Sequence, residues 1–269
     1  MKEDVTMDTG LVGRRAFISG STQGIGYAIA RGLLQEGAEV IVNGRTAARV
    51  EEAVDALRAE HPGSIIDGIA ADMADADQVA RLGERIADVD ILVNNVGLFG
   101  VADFLDVADE EWARYLEVNL MSGVRLSRAV LPAMLERGTG RILFVSSESG
   151  VNVPADMIHY GVTKAGMIAL ANGLAKLTRG TGVTVNTILG GPTYSEGVAG
   201  AVEHVASLQG VDAQQMKETI AAGNTTSLLG RFLEPDEIAH LAVYLASPLA
   251  SATNGAAVRA DGGVLTAML

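Results

Sequence analysis

The chain has no cysteine, so disulfides, thiolate nucleophiles and cysteine-bound metals are excluded by composition. Histidine is scarce too. His61, His159, His204 and His240 show no HExxH-like spacing, which leaves metal catalysis without a ligand set. Positive charge is thin: 20 lysines and arginines face 33 acidic residues, and the net charge of −13 repels a phosphate backbone. Arg14-Arg15 is the only adjacent basic pair, so no nucleic-acid partner is expected. No apolar run approaches the ~18 residues that cross a bilayer. The opening MKEDVTMDTG has no apolar stretch of the signal-peptide kind. A cytoplasmic protein without a membrane partner is expected, its first ten residues flexible.

Aromatics make up only 4 % of the chain, against 48 % hydrophobic residues and 32 glycines. An aliphatic, glycine-rich composition suits parallel strands covered by helices. Short apolar runs alternate with longer helical patterns, the order of βαβ units. Strands are expected at 14–19, 38–43, 64–72, 90–95, 141–147, 183–189 and 256–263. Helices are expected at 25–36, 46–60, 77–87, 109–137, 157–179 and 235–245, with Pro132 interrupting the fourth near its end. Residues 190–230 read as irregular, with some helical pattern. No linker or repeat divides the chain. The expected fold class is therefore α/β: one doubly wound parallel sheet of seven strands with helices on both faces, in a single domain over 1–269. Ligands of such sheets bind beyond the carboxyl ends of the strands, at the switch point.

S-G-S-T-Q-G-I-G (19–26) lies between the first strand and its helix. Gly20, Gly24 and Gly26 allow a tight turn that presents backbone N–H groups and a helix N-terminus to a diphosphate. Ser21, Thr22, Gln23 and Ile25 complete the candidate loop. The spacing is not the common G-x-G-x-x-G, and a plain βα turn is the competing reading. After the second strand, Asn43-Gly44-Arg45-Thr46 offers no carboxylate for an adenosine 2′-hydroxyl. Arg45 suits a 2′-phosphate instead, which favours NADP over NAD, or it is a solvated arginine at a helix start. Asp72, with Met73 beside it, is placed to meet the adenine amino group or to cap a helix.

Tyr160 and Lys164 stand one helical turn apart and share a face. With five tyrosines and four lysines in 269 residues, about 0.07 such pairs arise by chance. A carbonyl that accepts hydride builds negative charge on oxygen and needs a proton donor and hydrogen bonds. A phenol, with a pKa near 10, serves only if its charged form is favoured, and a nearby ammonium does that. Ser147 or Ser146, at the end of the fifth strand, would hold the substrate oxygen. Asn119 falls inside the long helix, where asparagine is unfavourable.

The set Gly20-x-x-x-Gly24-Ile25-Gly26, Asn94-Asn95-Val96-Gly97, Asn119, Ser147 and Tyr160-x-x-x-Lys164 resembles the short-chain dehydrogenases/reductases, in their order and through to Asp261-Gly262-Gly263. The spacing of 13 to Tyr160 selects Ser147 over Ser146. The resemblance covers nearly all the chain beyond residue 10 and implies a Rossmann-type fold and an Asn119–Ser147–Tyr160–Lys164 tetrad. In it, Tyr160 is general acid in reduction and general base in oxidation. Lys164 also bonds the nicotinamide ribose, and Asn119 interrupts its helix and anchors a water leading to the lysine. Asn94 would contact the adenosine side of the cofactor and stabilise the central sheet, Val96 replaces the usual alanine, and Gly97 lets the backbone approach. A homotetramer or homodimer, paired through helices 109–137 and 157–179, is also implied.

The pattern departs after the sixth strand, where Gly190 replaces the usual proline in Leu189-Gly190-Gly191-Pro192-Thr193 and implies a more flexible loop. Gly191 and Thr193 remain candidates for the nicotinamide carboxamide. Residues 190–230 should form the substrate lid, with Lys217 the only cation among Tyr194, Glu196, His204, Gln209, Gln214, Gln215 and Met216 over 194–217. Glu148 and His159 flank the tetrad and either touch substrate or serve packing; His204 reads as a polar helix position. The expected activity is interconversion of a small alcohol and carbonyl with NADP(H) or NAD(H). A cofactor-dependent isomerase or dehydratase, and a dinucleotide sensor without turnover, are the alternatives; the intact tetrad speaks against the sensor.

Overall fold

The computed structural model describes residues 8–268. Of the ten opening residues expected to be flexible, 1–7 lie outside the described residues; Thr9 donates to Glu36 Oε2 at 2.6 Å. Seven strands form one sheet: β1 (Arg15–Ile18), β2 (Glu39–Gly44), β3 (Ile66–Ala70), β4 (Ile91–Asn94), β5 (Thr139–Ser147), β6 (Gly182–Gly190) and β7 (Ala257–Ala260). Their order is β3-β2-β1-β4-β5-β6-β7, and every neighbouring pair is parallel.

The continuous apolar runs follow from a sheet buried on both faces, since successive side chains point to opposite sides. Ala16, Ile18, Val40, Val42, Ile91 and Val93 pack on one face against α1 (Gly24–Gln35), α2 (Ala47–Glu60) and α9 (Pro235–Ala246). Phe17, Ile41, Leu92, Ile142 and Phe144 alternate with them on the other face. There they meet α3 (Ala76–Arg85), α5 (Ser122–Arg137) and α6 (Ile158–Leu177). Phe17 and Phe144 are fully buried, and truncating either to alanine typically costs about 3–5 kcal/mol.

Three sequence expectations change. The long helix is not broken at Pro132, which α5 carries in its interior. The break comes earlier, where a π-helical turn over Leu116–Met121 separates α4 (Asp109–Tyr115) from α5. Such turns often mark functional sites, and Asn119 sits in this one. The region 190–230 contains two helices, α7 (Glu196–Gln209) and α8 (Ala213–Gly223), sharing a small core of Val202, Ala206 and Met216. Gly190 does not loosen its loop: it closes β6 in register with Ser147 on one side and Ala260 on the other. Among the described residues no helix is long and apolar enough to cross a membrane.

Candidate active site

The chain leaves β1 towards β2 and β3 and returns through β4 on the other side of β1, so the switch point lies between β1 and β4. Their carboxyl ends are tied together. Ser19 Oγ accepts from the backbone N–H groups of Asn95 and Val96 at 3.0 and 3.1 Å. The Asn95 amide donates to the carbonyls of Ser19 and Gly20 at 3.0 and 2.9 Å. Asn94, which the resemblance aimed at the cofactor, is buried and donates to Ser127 Oγ of α5 at 3.3 Å. Only one of two adjacent strand-end asparagines can face the loop, and it is Asn95.

The glycine loop needs its glycines. Gly20 and Gly24 adopt φ of 62° and 60°, and a Cβ at Gly26 would lie 2.5 Å from the Gly20 carbonyl oxygen. Ser21 and Asn43 shape this loop from within. Ser21 Oγ donates to Ile18 O at 2.7 Å and accepts from Asn43 N at 2.9 Å. The Asn43 side chain accepts from Gly20 N at 3.1 Å and donates to Ile69 O at 3.0 Å. Both are buried. Ile25 packs against the core. The N-cap residue of α1, Gln23, makes no side-chain cap bond; its Oε1 accepts instead from Arg49 at 2.9 Å. Thr22, Gln23, Tyr27, Arg49, Glu52 and Glu196 line a cleft here of about 340 Å³.

Exposed Arg45 enters none of the ion pairs among the described residues, and Arg49 stands one helical turn beyond it, also exposed. Asp72 accepts from Ala74 N at 3.0 Å, which holds the turn after β3, while the Met73 side chain is buried in the core. The cap of α3 is Asp75. Arg49 was invisible as a loop partner in the sequence because the contact joins elements 26 residues apart.

The carboxyl end of β5 meets the first turns of α6. Ser146 Oγ is buried and donates to the carbonyl of Lys164 at 2.9 Å, which pins α6 to the strand. The Ser147 hydroxyl stands near the phenol of half-buried Tyr160 and donates to Glu148 Oε2. Lys164 Nζ lies 5.5 Å from the Tyr160 ring centroid and donates to Val145 O at 2.9 Å. Asn119 anchors the loop after β4, accepting from Leu98 N at 2.7 Å and donating to Leu98 O at 2.9 Å and Thr163 Oγ1 at 3.0 Å. Gly97 keeps space beside the ammonium, since a Cβ there would lie 3.4 Å from Lys164 Nζ. Val96 packs against Gly20, where an added Cβ would lie 3.2 Å from the valine Cβ.

Burial governs the electrostatics. It pushes the Tyr160 phenol well above its usual range, against the Ser147 hydrogen bond, and the Glu148 charge adds to the rise. Burial brings Lys164 down to about 8, opposed by Glu148. Within the protein alone, burial outweighs the neighbouring charges at both groups.

Beyond β6, Gly191 is required by packing: a Cβ would lie 2.5 Å from Asp261 O. Thr193 is buried and donates to Gly191 O at 2.9 Å. The segment is clamped by Tyr194 N to Leu233 O and Leu233 N to Pro192 O, both 2.8 Å. Ser195, not singled out in the sequence, caps α7, and a Cβ at Gly24 would lie 3.3 Å from its own Cβ, so α7 begins against the glycine loop. Lys217 of α8 lies 3.7 Å from the Tyr194 ring centroid. His159 packs edge-on against Tyr115 and Trp112, with centroids 4.4 and 6.3 Å away, and His204 is exposed on α7. Among the described residues no cluster of His, Cys, Asp or Glu could hold a metal ion.

Residues 14–206 match the short chain dehydrogenase family. The uncharacterized oxidoreductase YvrD of Bacillus subtilis is 46 % identical over 97 % of this chain and 100 % of its own. The D-beta-hydroxybutyrate dehydrogenase of Cupriavidus necator is 34 % identical over 94 % of this chain and 98 % of its own. The crystal structure of L-sorbose reductase from Gluconobacter frateurii, complexed with NADPH and L-sorbose, superposes with a TM-score of 0.92 at 32 % identity, covering 97 % of this chain and all of that one. With a switch-point glycine loop, a serine and a Tyr-x-x-x-Lys turn at the end of β5, and these relatives, the chain belongs to the short-chain dehydrogenase/reductase family and is an oxidoreductase.

Proposed function

We propose that the protein interconverts a small alcohol and its carbonyl with NADP(H), using Tyr160 as the proton-transfer group and accepting NAD(H) less well. The observation that carries this is the convergence of Ser147, Tyr160 and Lys164 at one strand end. The phenol lies near the Ser147 hydroxyl, and the ammonium lies 5.5 Å from the phenol ring centroid. When bound, the dinucleotide supplies or accepts the hydride.

The residues present fit that cofactor. The first turn of α1 carries no side-chain cap and its N–H groups suit a diphosphate. The Gly20–Gly26 loop brings backbone close to it, with Thr22 and Gln23 on the cleft wall. Arg45 and Arg49 take a 2′-phosphate, no carboxylate stands at 43–46 to favour a free 2′-hydroxyl, and the L-sorbose reductase neighbour was crystallised with NADPH. Asp72 and Met73 border the adenine through the turn they form. Gly97, Gly191 and Thr193 border the nicotinamide, and Asn43, Ser21 and Asn94 act through the sheet beneath.

In reduction, Ser147 and Tyr160 hydrogen-bond the carbonyl oxygen as negative charge grows on it, and Tyr160 Oη delivers the proton. Lys164 holds its ammonium beside the phenol and bonds the ribose; Asn119 keeps the loop over Leu98 in place. In oxidation Tyr160 takes the proton back. A homodimer or homotetramer forms through α5 and α6, whose Val162 and Ala169 are exposed. The test is a panel of ketones, aldehydes and alcohols followed at the nicotinamide absorbance with NADPH and NADH; a cofactor-binding protein that turns over none of them would refute this reading.

A further inference from the structure

Glu148 directly follows Ser147 and is, among the described residues, the one carboxylate hydrogen-bonded to a member of the tetrad. Its two oxygens are both engaged. The Ser147 hydroxyl donates to Oε2, and the Ser149 hydroxyl donates to Oε1 at 3.0 Å. The Ser149 backbone N–H in turn donates to Ser147 Oγ at 3.1 Å. A serine hydroxyl has a single proton, and here the carboxylate holds it in a charge-assisted bond. Ser147 can then accept from Tyr160 but has no proton left for a carbonyl oxygen. A reduction that uses Ser147 as a donor requires Glu148 to receive a hydrogen bond from somewhere else.

Resting on the reading that carbonyl reduction occurs between Ser147 and Tyr160, we propose that Glu148 determines specificity by accepting a hydrogen bond from a substrate hydroxyl on the carbon next to the reacting carbonyl. The substrate class is a neutral α-hydroxyketone, and the product a vicinal diol. The reacting oxygen and the carboxylate are each one hydrogen bond from the same Ser147 oxygen. Two such bonds hinged at one atom span the gap that oxygens on adjacent carbons bridge. The incoming hydroxyl donates to Glu148, and the Ser147 proton turns to the carbonyl oxygen. The exchange moves no covalent bond; it replaces one donor to the carboxylate by another.

Charge supports a neutral substrate. A carboxylate placed on the carbon next to the carbonyl would face Glu148 at short range. The cation of the tetrad, Lys164, donates to Val145 O at 2.9 Å and in the proposed reaction serves the phenol and the ribose. A ketone without the hydroxyl leaves the carboxylate holding the Ser147 proton, and its reduction loses that donor.

The experiment compares kcat/KM of the full chain, with NADPH, for 1-hydroxy-2-butanone, 2-butanone and acetoacetate, in the wild type, Glu148→Gln and Glu148→Ala. The wild type should prefer the hydroxyketone over 2-butanone by about tenfold or more, the usual worth of a hydrogen bond to a charged group, and should reduce acetoacetate least. In Glu148→Ala the ratio of the two neutral ketones should fall towards one, with Glu148→Gln between. Equal loss on both ketones would assign Glu148 a purely structural role and overturn the proposal. So would a wild type without the preference, or one that favours acetoacetate. If Glu148→Ala does not fold, the wild-type ratio and Glu148→Gln decide. A wild type that reduces 2-butanone without discrimination refutes only this inference, whereas one that reduces no carbonyl refutes the proposed function with it.

Discussion

Lys164 donates from Nζ to the main-chain oxygen of Val145 at 2.9 Å, two residues before Ser147 on the same strand. Ser146, between them, donates back to the carbonyl of Lys164 at 2.9 Å. The helix turn bearing the tyrosine and lysine is thereby stitched to the strand end bearing the serine. The position of the reacting groups is set by backbone partners rather than by the groups' own attraction.

That burial has a cost which pH should reveal. The folded-state pKa of Lys164 is held at about 8, against an ordinary 10.5. Between those values the unfolded chain binds the proton that the folded chain has released, so stability should rise with pH across that window. The slope contributed by one group is at most about 1.4 kcal/mol per pH unit. Below about pH 8 both states carry the proton, and the penalty is constant. Urea unfolding at pH 8, 9 and 10 should show the rise in the wild type and a flatter profile in Lys164→Met; parallel profiles would place the source elsewhere.

The cofactor preference rests on Arg45 and on Arg49, which reaches Gln23 of the glycine loop at 2.9 Å. Replacing either by alanine should raise the KM for NADPH about tenfold or more, the worth of a charge-assisted bond. The KM for NADH should change little. Equal weakening with both dinucleotides would remove the 2′-phosphate role.

Gly191 is held 2.5 Å, measured from an ideal Cβ, from the carbonyl oxygen of Asp261. Because that neighbour is backbone, Gly191→Ala should destabilise the fold by about 1–3 kcal/mol, as overpacking does. Chemical denaturation measures this directly. A loss below about 0.5 kcal/mol, the range of surface substitutions, would mean that the β6–β7 junction yields freely.

Much of this was legible in the chain because it depends on local period. The unbroken apolar runs around Phe17 and Leu92 mark strands buried on two faces, and the four-residue step from Tyr160 to Lys164 marks a shared helix face. What was illegible depends on direction and on distant neighbours. Asn94 and Asn95 differ only in which face the strand gives them. Arg49 meets Gln23 only once α2 folds beside the loop. The sequence left Glu148 open between substrate contact and packing, because only the fold brings the Ser147 hydroxyl onto its carboxylate. Pro132 misled because proline in a helix interior usually breaks it; the interruption falls instead over Leu116–Met121, at Asn119, where the family resemblance implied it. Helices α7 and α8 were hidden because only three buried residues, Val202, Ala206 and Met216, centre their shared core.

The most direct test of the central claim compares the wild type with Tyr160→Phe, measuring NADPH binding by calorimetry and carbonyl reduction at saturating NADPH. Removing a single hydroxyl should leave the dissociation constant for NADPH nearly unchanged and lower kcat by about 10²–10⁴-fold, the usual worth of a positioned proton donor. A Tyr160→Phe enzyme that binds NADPH normally and still reduces the carbonyl at close to the wild-type rate would contradict the assignment of Tyr160 as the proton-transfer group.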